Sequence, residues 1–258
     1  MPRRPRGAGS AVPGSEDTAN VPVGRGRDFA GGPPPVPAVS VAHDRTGERR
    51  VLGVTAVEKR FHRGIWPRRR TIDVLVGATL EVRAGELVGL VGENGSGKST
   101  LMQIIVGLLR ADAGSVDPPA RLGYCPQLPM LWDKLTVDEH FALFARAYGL
   151  DDAAREHAVS GLLAELQFER YRGYRVDELS GGTRQKLNLA LGLMHEPDLL
   201  LLDEPYAGFD WETYVRFWEM SEQRRDAGMG ILIISHLLAE RTRLDRIYEL
   251  RDGQVTVQ

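Results

Sequence analysis

Residues 86–100 constrain the fold more than any other stretch of this chain. The run ELVGLV, Glu86 to Val91, enters the cluster GENGSGKST, and TLMQIIVGLL follows directly. A strand that feeds a glycine-rich turn and then a buried helix leaves few architectures open. Gly92, Gly97, Lys98 and Ser99 fit the spacing G-x-x-x-x-G-K-[ST]. Glycines let consecutive backbone N–H groups converge on one point, and the start of the next helix aims its positive end there. A lysine at that point reaches the β and γ phosphates of a nucleotide, and the following hydroxyl suits Mg²⁺. Asn94, Gly95, Ser96 and Thr100 fall within the same stretch and are expected to contribute to phosphate binding. The rival reading, a plain glycine turn before a helix, leaves the lysine and hydroxyl unexplained.

A second apolar run, DLLLLDE, ends in Asp203 and Glu204. A buried strand ending in two carboxylates sets them at the carboxyl edge of a sheet, where open α/β folds bind ligands. Asp203 is expected to hold Mg²⁺, and Glu204 to orient or deprotonate the water that attacks the γ phosphate. DLLLLDE and GILIISH are continuous apolar runs, as expected when both faces of a parallel sheet are covered. VLGVTAVEK, from Val51, reads as an edge strand, and TLEVRAGELVGLV as two strands joined at Ala84-Gly85. In TVDEHFALFARAY, Thr136 and Glu139 form a capping box, and Val137, Phe141, Phe144 and Tyr148 share one helical face. A second helix is expected over residues 152–166. From Leu179 the pattern is helix, strand, helix, strand, helix, closed by a hairpin turning at Asp252-Gly253.

LSGGTRQ, Leu179 to Gln185, adds another anion-ready helix start. Ser180 is a good N-cap, and Gly181 and Gly182 leave the first turn bare. A self-contained nucleotide hydrolase does not need two such termini for one nucleotide. Each glycine costs about 1 kcal/mol of helix stability relative to alanine, so a purpose other than stability is implied.

Composition limits the remaining possibilities. The first 37 residues hold eight prolines and seven glycines with few large apolar side chains. Residues 1–50 are therefore expected to be a disordered tail, and 51–258 the folded domain. A net charge of −2 argues against bulk binding to nucleic acid or anionic membrane. The single cysteine, Cys125, excludes an intrachain disulfide and fits a reducing compartment. No run approaches 18 apolar residues, and the paired N-terminal arginines have no apolar stretch behind them. Neither a spanning segment nor a conventional signal peptide is expected.

These motifs together resemble the ATP-binding subunit of ABC transporters. GENGSGKST is similar to the family's Walker A motif, LLLLDEP to Walker B and LSGGTRQ to the signature motif. Gln127 in GYCPQ matches the Q-loop glutamine, His236 in IISH the switch histidine, and Asp210 in AGFD the D-loop position. The resemblance covers about residues 51–258. It implies an α/β fold: a P-loop core with a mostly parallel sheet, an antiparallel N-terminal β subdomain and a small helical subdomain over about 128–180. It further implies ATP and Mg²⁺, with Ser99, Gln127 and Asp203 at the metal, Gln127 and His236 joining Glu204 in catalysis, and Asp210 near the nucleotide. The implied assembly is a head-to-tail dimer with an identical or homologous chain, in which Ser180, Gly181 and Gly182 face the partner's ATP. Separate membrane-spanning subunits would be contacted through the segment after Gln127. The chain would be cytoplasmic and peripheral on the inner face of the membrane, without inserting into it and without binding nucleic acid.

The sequence departs from the family in places. Ala207 and Phe209 replace two usual D-loop residues, flanked by Tyr206 and Trp211. The aromatic that stacks on adenine is assigned to Phe61, 31 residues before Gly92, with Trp66, 26 before it, as the alternative. The chain stops just after the final hairpin, and the resemblance then implies export rather than import. The alternative function is a soluble ATPase of the same class acting on nucleic acid or ribosomes. Against it stand a single cassette, no zinc cysteines, and only 82 residues from Lys98 to Ser180 without a coiled-coil pattern.

Overall fold

The computed structural model describes residues 49–63, 70–235 and 241–258. The expected tail before Arg49, Trp66 and His236 lie outside the described residues. In chain order the elements are β1 (Arg50–Arg63), β2 (Arg70–Arg83), β3 (Leu87–Val91), α1 (Lys98–Ile105), β4 (Ala113–Asp117), β5 (Leu122–Cys125), α2 (Val137–Tyr148), α3 (Asp152–Glu165), α4 (Gly181–Leu193), β6 (Leu199–Asp203), α5 (Trp211–Asp226), β7 (Gly230–Ile234), β8 (Arg246–Arg251) and β9 (Gln254–Val257). Among the described residues no helix is long and apolar enough to cross a membrane.

Two sheets organise these elements. The smaller is antiparallel with order β2-β1-β4. β1, expected at an edge, is therefore the central strand. Its second neighbour β4, AGSVD, has too little apolar character to stand out as a strand in the sequence. The larger sheet has order β5-β6-β7-β3-β8-β9 and is parallel except for β9. β8 and β9 form the expected hairpin, with Asp252 and Gly253 both at positive φ in the turn.

The continuous apolar strands β3, β6 and β7 are buried along their whole length. Their side chains alternate between two cores. Leu87, Leu200, Leu202, Ile231 and Ile233 join the core formed with α2 to α5. Val88, Leu90, Leu199, Leu201, Leu232 and Ile234 join Leu101, Met102 and the antiparallel sheet on the other side. Each such side chain, fully buried, contributes about 1.5–3 kcal/mol relative to exposure.

Register aligns those ends. Asp203 pairs with Ile234, and Ile234 pairs with Leu90. Beyond the ladders, Glu204 N donates to Ile234 O at 3.0 Å and Ser235 N to Leu90 O at 3.2 Å. The carboxyl ends of β6, β7 and β3 thus finish level, and the phosphate loop springs from β3.

Helix starts follow the sequence closely. Thr136 and Glu139 form the expected capping box of α2, and Asp151 and Ser180 cap α3 and α4. The helix expected after GILIISH would begin on residues 236–240, which lie outside the described residues; a 3₁₀ turn, Arg241–Arg243, precedes β8.

Candidate nucleotide site

A cavity of about 320 Å³ opens at the carboxyl ends of β3, β5 and β6, and nine of the expected site residues line it. Asn94, Gly95, Gly97, Lys98, Ser99 and Thr100 come from the loop and first turn of α1, Gln127 from the segment after β5, and Asp203 and Glu204 from the end of β6. These groups span 110 residues of sequence, from Asn94 to Glu204, and the parallel pairing of β3, β5, β6 and β7 brings them together.

The loop geometry explains its composition. Gly97 caps α1 at φ 109°, and a Cβ there would sit 2.9 Å from Val74 O. Only glycine serves at that position. α1 has no side-chain cap, so its first N–H groups are left for an anion. Lys98 folds back, donating from Nζ to Gly92 O at 2.6 Å and to Glu93 O at 2.9 Å. Burial lowers its pKa, and the nearby Glu204 and Asp203 carboxylates offset part of that effect. Ser96 Oγ is buried with no hydrogen-bond partner among the described residues, an orphan in a loop built to receive an acceptor-rich ligand.

The carboxylates are placed differently. Asp203 is buried, and burial, together with neighbouring Glu204, raises its pKa against the pull of Lys98. Glu204 has φ 48°, a left-handed conformation rare for glutamate. It is half-buried and accepts from Ser235 Oγ at 3.4 Å. A hydroxyl, an amide and a carboxylate facing one cavity form an oxygen-donor set suited to Mg²⁺. The residues present therefore fit both ATP and the metal.

A second cavity, about 610 Å³, shares Val74, Asn94 and Gly95 with the first. Ile72, Val74 and Val76 of β2 give it an apolar wall. Phe61 is 40% exposed on β1, directly opposite Ile72, so the two side chains share a face. Lys59 Nζ lies 5.6 Å from the centre of its ring. Trp66, the alternative, lies outside the described residues.

The signature segment stands apart. Among the described residues lining the first cavity, none comes from Ser180, Gly181 or Gly182. Ser180 is exposed, and its Oγ accepts from Thr183 N at 3.2 Å. A Cβ on Gly182 would meet Gly208 O at 2.7 Å, so the close approach of the D-loop requires glycine there. A Cβ on Gly181 would meet nothing within 4 Å. Packing therefore explains Gly182 but not Gly181. Asp210 caps α5 by accepting from Thr213 N at 2.8 Å, and that bond holds its carboxyl below its ordinary pKa. The signature helix is also tied to the Q-loop, a link that motif reading did not find. Asn188 Nδ2 donates to Pro126 O at 2.9 Å and to Cys125 Sγ at 3.1 Å, just before Gln127.

Comparison with known proteins identifies the family. The family described as ABC transporter matches residues 75–207. "Nod factor export ATP-binding protein I" of Burkholderia lata is 34% identical, over 77% of this chain and 67% of its own length. The protein of the same name from Burkholderia orbicola, also 34% identical, is matched over 70% of this chain and 64% of its own length, under two thirds. "Uncharacterized ABC transporter ATP-binding protein YthP" of Bacillus subtilis is 33% identical, over 72% and 79%. A solved ATP binding subunit of an ABC transporter superposes with TM-score 0.72 at 30% identity, over 81% of this chain and 89% of that one. The dimeric bacterial cassette MJ0796 shares the fold at TM-score 0.71 and 23% identity, over 79% and 96%. The chain belongs to the ABC transporter family, as an ATP-binding subunit with ATPase activity.

Proposed function

We propose that this chain drives export by hydrolysing ATP at the composite edge of β3, β5 and β6. The observation that carries this reading is the convergence of Lys98, Ser99, Gln127, Asp203 and Glu204 on one cavity. Gly92 to Thr100 wrap the phosphates, with Lys98 on the β and γ groups. Ser99, Gln127 and Asp203 would hold Mg²⁺, which neutralises phosphate charge when bound. Glu204 polarises the attacking water as general base. Phe61 stacks on adenine, beside the apolar wall of β2. His236, outside the described residues, is assigned to the γ phosphate on the family resemblance. Residues 1–50 form a tail, residues 51–258 the cassette, and about 128–180 its helical subdomain.

The partner is a second ATP-binding chain placed head to tail, so that Ser180, Gly181 and Gly182 complete its nucleotide site, with Asp210 nearby. The exposed Gly181, which packing does not require, supports this assignment. Leu128, Met130 and Trp132, exposed by 80%, 73% and 54% just after Gln127, are assigned to contact separate membrane-spanning subunits. The chain then sits in the cytoplasm against the inner face of the membrane. Export is supported by the names of the Nod factor relatives. Lys98→Ala tests the site. Loss of a charge-assisted contact should weaken Mg-ATP binding on the order of 10²-fold, measured by titration calorimetry. Unchanged affinity would reduce the loop to a glycine turn.

A further inference from the structure

Tyr206 stands two residues beyond Glu204, with its ring held by α5. It meets Tyr214 edge-on at 5.6 Å and Phe217 at 6.0 Å, with Trp218 stacked at 6.4 Å. This clamp fixes where the phenol oxygen lies. The hydroxyl donates to Ser235 Oγ at 2.7 Å. Ser235 is fully buried at the end of β7, and its own Oγ donates to Glu204 Oε2 at 3.4 Å. The end of β7 thus holds Glu204 twice, by Ile234 O on its backbone and by Ser235 on its side chain.

The polarity of this relay follows from proton counting. A serine hydroxyl carries one proton and two lone pairs. Tyr206 occupies a lone pair, which directs the serine proton to another neighbour, and Glu204 Oε2 is in reach. Burial raises the Tyr206 pKa to about 12, so the phenol remains a donor throughout the neutral range. The link to Glu204 is long for an O–H···O bond, and the bond from Tyr206 is the shorter and stronger hold on the serine hydroxyl. Phenylalanine at 206 would keep the ring in its clamp and remove that bond from the serine hydroxyl.

We propose that Tyr206 is a positioning residue for ATP hydrolysis, acting through the Ser235 hydroxyl to fix the direction of the Glu204 carboxylate. It does not touch the nucleotide. The proposal rests on the reading of Glu204 as the group that polarises water. Glu204 is already constrained by its left-handed backbone, and the relay adds a hold on its side chain. A base held in line with its water contributes rate without adding ATP affinity, because the aligned geometry matters only at the transition state.

The test is single-turnover hydrolysis with the full chain in excess over Mg-ATP, beside ATP affinity measured separately. Tyr206→Phe and Ser235→Ala should each slow hydrolysis about three- to tenfold, the effect of one lost hydrogen bond. Affinity for ATP should stay within about twofold. The double variant should be no slower than the slower single one, since both changes break one relay. If Tyr206→Phe does not fold, Ser235→Ala carries the same expectation alone. Wild-type rate in both single variants would overturn the proposal. So would losses that multiply in the double variant, or a fall in affinity that accounts for the fall in rate. Glu204→Gln is measured alongside: its hydrolysis at the wild-type rate would remove Glu204 from the chemistry, whereas a slow Glu204→Gln with a normal Tyr206→Phe would sink the relay only.

Discussion

The starts of α1 and α4 are both glycine-rich helix termini, α1 without a side-chain cap and α4 capped by Ser180 at Thr183 N, yet among the described residues only the α1 start is lined by charged and metal-binding groups. At α1, a lysine, a hydroxyl, an amide and two carboxylates surround the terminus and enclose a cavity. At α4, Ser180 and Gly181 are exposed, a Cβ on Gly181 would meet open space, and the D-loop backbone at Gly208 approaches Gly182. The same dipole physics operates at both ends. What differs is the supply of cationic and metal-binding groups. An anion site without such groups is half a site, and in the proposed assembly a second chain that brings its own phosphate would complete it. This contrast is the physical basis for the head-to-tail assembly proposed above.

The largest effect should come from the furnished end. Glu204→Gln should slow hydrolysis by on the order of 10²–10⁴ while ATP still binds, since the amide has nearly the same size but cannot accept a proton. Rapid-quench measurement of phosphate release checks this, and a wild-type rate would show that the terminus at α1 binds without catalysing.

The two signature glycines sharpen the contrast further. Gly182→Ala must push against Gly208 O, and overpacking of this kind destabilises by about 1–3 kcal/mol. Gly181→Ala meets open space and should stabilise α4 by up to about 1 kcal/mol. Chemical denaturation separates the two. If Gly181→Ala is the more stable chain and yet hydrolyses ATP more slowly, its glycine serves a ligand rather than the fold. Equal destabilisation by both would make the segment an ordinary packed helix start.

The smallest effect concerns the helical region between these termini. His140 is buried, accepts from Trp132 N at 3.0 Å through Nε2, and makes a 2.8 Å bond from Nδ1 to Thr136 O. Burial lowers its pKa, and the same cause lowers that of His195, which stacks on Tyr148 at 3.8 Å. A histidine with a depressed folded pKa contributes stability that is present above its unfolded value, about 6.5, and is lost as pH falls below it. Melting midpoints should therefore fall between about pH 7 and 5, with a shallower fall in His140→Gln. Parallel slopes would show that His140 does not titrate in this window.

Much of this arrangement was legible in the sequence, for identifiable reasons. Continuous leucine runs announced the parallel strands, and the glycine-lysine-serine spacing announced the phosphate loop. The two-residue turn at Asp252-Gly253 and the capping box at Thr136 were equally plain, because both are local chemistry. Contacts made across strands left no such trace. β1 read as an edge because its partner β4 is polar and short. The relay from Tyr206 to Glu204 passes through Ser235, 29 residues from Tyr206 and just beyond the end of β7. The tie of Asn188 to Cys125 and Pro126 spans more than 60 residues, and only the fold reveals it.

The central claim, that Ser180 to Gly182 belong to another chain's nucleotide site, meets its most direct test in the mass of the Glu204→Gln chain. Sedimentation with saturating ATP and Mg²⁺ should give twice the monomer mass for Glu204→Gln, because the dimer closes and cannot discharge. The double variant Glu204→Gln/Ser180→Arg should stay monomeric while binding ATP as tightly as Glu204→Gln alone. A double variant that still dimerises, or one that loses ATP affinity as a monomer, would contradict the claim.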